Sequence, residues 1–88
     1  MPEYERGQVI NVTVTGAARW GVLVEVPSGE PGWIESHYLD DVRVPVEDWP
    51  SSGTTMDAVV LGPRTNDGRW RLSTRPSVLA AARAGLPL

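Results

Sequence analysis

The sequence predicts an all-β fold, a small closed antiparallel barrel built from five short strands. Three observations carry this prediction. Short segments alternate apolar and polar residues with the period of two that half-buried strands show. Turn signals rich in Gly, Pro, Asn and Asp separate these segments, and one long aperiodic connection divides the third from the fourth. With 88 residues the chain has the size of one small domain, and closing the sheet removes exposed strand edges.

The first three strands are predicted in the N-terminal half of the chain. Residues 9–15 alternate β-branched apolar residues with Asn and Thr, and residues 20–26 repeat that alternation after a break at Gly16. The turn-rich stretch 27–32 leads into a short third strand at 33–35. These three segments are expected to be consecutive strands, each with one face toward the core.

The long connection, residues 36–53, shows no clean period. Pro45 and Pro50 prevent a long helix, so we expect at most single helical turns near 36–39 and 46–49. We expect Trp49 to hold this connection against the barrel.

Two strands are predicted after the connection. Residues 56–61 alternate again, and the Asp67-Gly68 turn leads into the fifth strand at 69–73. In that strand Trp70 and Leu72 are expected to point inward. The predicted core is Ile10, Val12, Val14, Val22, Val24, Ile34, Met56, Ala58, Val60 and Leu72.

The C-terminal tail has a different character. Residues 77–84 are strong helix formers, and Gly85 stands where a helix would end. A helix this short is marginal by itself. We therefore expect a barrel domain at 1–76 and a tail at 77–88 that is either a short packed helix or disordered.

Five strands with a long connection before the fourth are typical of the OB fold, with an SH3-like barrel as the alternative. Four groups of residues extend the pattern: glycine and apolar residues over 7–14, then Trp20-Gly21-Val22-Leu23-Val24, Gly32-Trp33-Ile34-Glu35 and Arg69-Trp70-Arg71-Leu72-Ser73, with Gly53 before the fourth strand. In this order and spacing the chain resembles the S1 RNA-binding domains, which are OB barrels. The resemblance covers about three quarters of the chain.

The resemblance implies a set of RNA contacts, which this chain keeps in part. S1 domains use two aromatic residues on strand two, a histidine on strand three, an aspartate in the last hairpin and an arginine at the final strand. Trp20 and Arg69 match the first aromatic and the arginine. Leu23 and Glu35 replace the second aromatic and the histidine, and the stretch at Arg64 and Thr65 offers no acid.

The chemistry of the residues points to one candidate surface. An exposed tryptophan can stack on a base, and arginine can bind phosphate bidentately. Trp33 shares the parity of Glu35, and the two strand-five arginines share an outward face. The predicted nucleic-acid contacts are Trp20, Leu23, Trp33, Glu35, Arg69 and Arg71.

Charge limits how such a site can work. The chain has a net charge of −3, and its eight basic residues are all arginine. A protein that attracts phosphate over long range is normally basic, so binding must depend on a local arginine cluster. His37 is the single histidine and cysteine is absent, so no metal site, cofactor or enzymatic activity is expected.

Two functions remain open at this point. The first is a module that binds single-stranded RNA weakly, by stacking on Trp20 and by arginine contacts. The alternative is a protein-interaction or regulatory module that kept the barrel and lost nucleic-acid binding, which the acidic charge and Glu35 favour. With no signal peptide or membrane-spanning segment in the sequence, we expect a cytoplasmic, bacterial protein.

Overall fold

The computed structural model describes residues 4–62 and 65–88, and within them it contains a closed five-stranded barrel with one short helix. Neighbouring strands around the barrel follow the order β1-β2-β3-β5-β4, and β4 pairs with β1 to close the ring. The predicted fold class is thus confirmed. The strands are β1 (Val9–Ala18), β2 (Gly21–Glu25), β3 (Pro31–Glu35), β4 (Thr55–Gly62) and β5 (Trp70–Ser73).

The barrel is not purely antiparallel, which corrects the prediction. β3 and β5 run parallel, with Gly32 opposite Trp70 and Trp33 opposite Arg71, while the other four pairings are antiparallel. A ring of five strands cannot alternate direction all the way round, because five is odd. One parallel pair is therefore the minimum, and it is formed by β3 and β5, the two strands that flank the long connection and β4 in the chain.

The barrel interior is filled by the alternating apolar residues that the sequence predicts, with one exception. Met56 is only half-buried and packs against the edge of the core, because it lies next to the first residue of β4. Trp70 is buried as expected, and Val59 is buried although it has the opposite parity to its neighbours on β4. The C-terminal helix contacts β4 and β1 on the outside of the barrel, which accounts for the burial of Val59.

The C-terminal tail forms the helix α1 (Pro76–Arg83), which begins one residue before the predicted tail. Its first turn is held by Asp41, whose carboxylate accepts hydrogen bonds from the Ser77 N–H at 3.0 Å and from Arg75 Nε at 3.2 Å. Its last turn is held by Arg83, 2.7 Å from Asp57 on β4. The helix is therefore a packed cap. No helix within the described residues has both the length and the apolar character needed to cross a membrane.

The long connection is anchored rather than loose. It contains two short 3₁₀ turns, Ser36–Tyr38 and Val46–Asp48, close to the helical turns predicted there. Leu39 is buried in the core. Trp49 packs against the core and donates from Nε1 to the Val44 carbonyl at 3.0 Å, so it holds the connection as the sequence predicts.

Candidate nucleic-acid interface

A row of three side chains crosses the outer face of the barrel. Leu23 on β2 stands opposite Trp33 on β3, and Trp33 stands opposite Arg71 on β5. Residues opposite one another in a sheet project to the same side. The residues next to them in sequence are buried, so this row points outward. The barrel thus presents an aliphatic, an aromatic and a cationic side chain in one line.

Beside this row lies an open groove of about 310 Å³, called here the strand groove, lined by Ala18, Leu23, Trp33, Thr65, Asp67 and Arg69. Trp33 is half-buried because its ring leans over Gly21. A Cβ atom placed on Gly21 would lie 3.0 Å from the Cη2 atom of the Trp33 ring. The absence of a side chain at residue 21 is therefore what makes room for this ring.

The β4–β5 hairpin forms one end of the strand groove through a local hydrogen-bond network. The Thr65 N–H donates to the Arg69 carbonyl at 2.7 Å, and the Arg69 N–H donates to the Thr65 hydroxyl at 3.1 Å. That hydroxyl donates to the Asp67 carboxylate, which lies 3.6 Å from Arg69 Nε. The Thr65 hydroxyl, with a smaller effect from Arg69, lowers the pKa of Asp67, which keeps its charge in place.

The last hairpin contains an acid, Asp67, that lines the strand groove. The sequence has no acid at Arg64 and Thr65, where the S1 resemblance places the aspartate, and Arg64 lies outside the described residues. In the sequence, the Asp67-Gly68 pair indicates only a turn. Asp67 stands two residues before Arg69, and side chains two residues apart in a tight hairpin loop can come into contact. This spacing is the signal in the sequence that could have predicted the pairing of Asp67 with Arg69.

The two candidate arginines differ in how free their charges are. Arg69 is about one-third exposed and pairs with Asp67, so part of its charge is already compensated. Arg71 is exposed and forms no ion pair within residues 4–62 and 65–88. Arg71 is therefore the more available phosphate ligand, whereas Arg69, fixed by the hairpin, can present its donors in a defined direction.

Glu35 lies on the same outer face as Trp33, two residues further along β3, but it does not line the strand groove. Its Oε1 atom lies 3.0 Å from Nδ1 of His37; the His37 side chain is largely exposed and that of Glu35 about half exposed. The imidazole thus stands beside the carboxylate that replaces the S1 histidine. Glu35 places a negative charge near the groove rather than inside it.

Trp20 is separated from the other candidate residues. It lies in the turn between β1 and β2, its side chain is 65% exposed, and the Arg19 guanidinium stands 5.0 Å from the ring centroid. Its carbonyl accepts a hydrogen bond from the Ser36 N–H at 2.8 Å, which ties the turn to the long connection. Trp20 therefore lines a second groove, called here the loop groove, between that turn and residues 36–49.

The six predicted contacts thus fall into three places. Leu23, Trp33 and Arg69 line the strand groove, with Arg71 in register beside Trp33, whereas Glu35 stands nearby and Trp20 occupies the loop groove. The expectation that Trp20 and Arg69 share one groove is not met. Among the described residues no cluster of three or more His, Cys, Asp or Glu side chains could hold a metal ion.

Solved structures of other proteins share this architecture. A chain of the a/eIF2alpha–aDim2p–rRNA complex from Pyrococcus horikoshii OT3 is 19% identical with a TM-score of 0.76; the match covers 96% of this chain and 53% of that one. GSP13 from Bacillus subtilis is 22% identical with a TM-score of 0.71, over 98% of this chain and 62% of its own. This is an OB fold. The resemblance predicted from the sequence is confirmed at the level of the fold.

A third structure widens the comparison. A multidomain protein with nucleic acid binding domains from Streptococcus pneumoniae TIGR4 is 26% identical with a TM-score of 0.66, over 86% of this chain and 25% of that protein. The present chain thus spans about half of the Pyrococcus chain and a quarter of the Streptococcus protein. No protein-family model matches the sequence, and no curated protein matches it either.

Proposed function

We propose that this chain is a binding module for single-stranded RNA, not an enzyme, and that RNA lies in the strand groove. One observation carries the proposal: Leu23, Trp33 and Arg71 stand in register on three neighbouring strands. Leu23 and Trp33 line the strand groove together with Arg69, and Arg71 lies beside it, next to Trp33. Trp33 offers a ring face on which a base can stack, beside the apolar surface of Leu23. Arg71 supplies a charge for phosphate, and Arg69 a donor for a base edge or phosphate.

The structural neighbours support this assignment. One was solved in a complex with rRNA, and another contains nucleic acid binding domains. OB folds generally bind oligonucleotides across strands two and three and the flanking loops, which is where the strand groove lies. An RNA-binding role also agrees with the cytoplasmic location expected from the sequence.

The charge distribution sets the expected strength of binding. With a net charge of −3 the chain repels a polyanion at long range, and Asp67 already compensates part of the charge of Arg69. Binding is therefore weak, confined to single strands and strongest at low salt. The only helix in the described part of the chain is fixed to Asp41 and Asp57, so no helix is free to enter the major groove of a duplex.

The test is an NMR titration of the full chain with a short mixed-sequence single-stranded RNA at low salt. Trp33→Ala should weaken binding by about 1–3 kcal/mol through lost stacking. Arg71→Ala should weaken it and flatten the dependence of log K on log salt by about one unit. The matched control is Arg43→Ala, an exposed arginine outside the strand groove, which should leave both quantities unchanged.

Two outcomes would contradict the proposal. One is an absence of chemical-shift changes at low salt with the barrel intact. The other is an equal loss for the Arg71 and Arg43 variants, which would show that only the general charge of the chain is sensed. Either result would favour a protein-interaction module as the role of this barrel.

A further inference from the structure

The loop groove collects most of the large apolar surface that the chain exposes. Of the large hydrophobic side chains exposed among the described residues, Trp20, Val42 and Val46 are each about two-thirds exposed or more, and all three line this groove. The other two, Leu86 and Leu88, belong to the C-terminal tail. Single exposed apolar residues are ordinary, but a cluster in one concave place marks an interaction site.

The walls of the loop groove are held in place before any partner arrives. On one side the Trp20 carbonyl accepts a hydrogen bond from the Ser36 N–H. On the other side Trp49 Nε1 donates a hydrogen bond to the Val44 carbonyl. Asp41 accepts a hydrogen bond from the Ser77 N–H at the start of α1. The space between the walls is about 690 Å³, within the range of sites that enclose small ligands or a few side chains. Binding a partner would therefore require little further ordering of the groove residues.

The side chains that line the loop groove carry one more positive than negative charge, although the chain as a whole is acidic. Arg75 and Asp41 compensate one another at 3.2 Å. Arg19 and Arg43 form no ion pair within the described ranges. The one further lining carboxylate is that of Asp40, which accepts a hydrogen bond from the Asp41 N–H at 2.6 Å. Arg19 and Arg43 therefore face one lining acid, Asp40, beside the apolar cluster. Three further carboxylates, those of Glu35, Glu47 and Asp48, lie next to lining residues without lining the groove themselves.

We propose that the loop groove docks a protein segment carrying two apolar side chains and an adjacent acidic one. Two of the three exposed apolar side chains, Val42 and Val46, are aliphatic and offer no ring face for a base, so only Trp20 could stack on one. This composition favours a peptide over RNA. Tryptophan and arginine, here Trp20 with Arg19, are the residue types enriched at interaction hot spots. A segment with one or two carboxylates also meets less repulsion from an acidic chain than a polyanion does. The loop groove is separate from the strand groove, so a failure of RNA binding would not contradict this proposal.

The experiment selects a randomised nine-residue peptide library on the full chain, with counter-selection on the double variant Val42→Ser/Val46→Ser. Both valines are exposed, so the variant should fold, which its thermal midpoint checks. Selected peptides are expected to carry two apolar residues and an acidic one. Their affinity should fall at least tenfold on the double variant, on Arg43→Glu and on Trp20→Ala, but not on Trp33→Ala or the tail control Leu86→Ser.

Three results would overturn the proposal. The first is a selection that yields no peptide able to distinguish the chain from the folded double variant. The second is a set of selected peptides that are basic, or that bind equally well when their acidic residue is changed to lysine. The third is an NMR titration in which single-stranded RNA shifts the resonances of Trp20 and Val42 and displaces the selected peptide. Because Trp33→Ala and Trp20→Ala separate the two grooves, a failure of RNA binding would leave this test unaffected.

Discussion

Replacing Gly21 with alanine should both destabilise the barrel and disturb the strand groove. A Cβ atom at residue 21 would lie 2.3 Å from the Ile34 carbonyl oxygen, 2.9 Å from the Glu35 Cα atom and 3.0 Å from the Trp33 ring. The first two are backbone atoms of the paired strand and cannot move aside alone. The methyl group therefore has to push β2 and β3 apart or tilt the Trp33 ring out of its place.

The magnitude follows from the kind of contact. Forcing an extra methyl group into a close-packed region costs about 1–3 kcal/mol, and contacts with backbone place this variant toward the upper end. In a domain of this size each kcal/mol lowers the thermal midpoint by roughly 4–8 °C. We expect Gly21→Ala to lower the midpoint by roughly 10–20 °C and to weaken RNA binding through the displaced Trp33.

The matched control is Gly16→Ala. Gly16 also lies in a strand without positive φ, but a Cβ atom there meets nothing within 4 Å. Its free energy of unfolding, measured by urea titration and thermal circular dichroism, should change by less than about 1 kcal/mol. If the two variants unfold at the same temperature, the close approach of β2 to β3 does not constrain the barrel and the reasoning is wrong.

Three further predictions concern the core, the helix and the groove charge. Val24→Asp should unfold the domain, because a buried carboxylate without a partner costs several kcal/mol; an unchanged thermal midpoint would refute the core assignment. The hydrogen bond from Ser77 lowers the pKa of Asp41, so its stabilisation of α1 is complete above the ordinary aspartate value of 3.8 and is lost as pH falls through the lowered pKa. Asp41→Asn should accordingly reduce the loss of helix signal on acidification below pH about 4, and an unaltered acid profile would contradict this. Glu35→Gln should strengthen RNA binding at low salt by removing a negative charge beside the groove, and a weaker or equal affinity in the same NMR titration would count against it.

The sequence alone determined the strand faces and most of the core. Period-two alternation fixes which side chains of a strand lie on the same face, and burial of Val12, Val24, Ile34 and Leu72 agrees with it. Turn chemistry located the loops, and helix formers located α1. Met56 shows the limit of this reasoning, because alternation does not tell where a strand leaves the closed part of the barrel.

The tertiary structure decided which outward residues become neighbours. Alternation does not specify which residue on another strand stands opposite, so only the parallel β3–β5 pairing brings Arg71 beside Trp33. In the same way, the Trp20 carbonyl accepts a hydrogen bond from the Ser36 N–H, which ties the β1–β2 turn to the long connection, and Trp20 lines the loop groove, not the strand groove. Faces are a local property of the chain and can be read from it. Register and loop contacts depend on closing the barrel, which joins residues far apart in sequence.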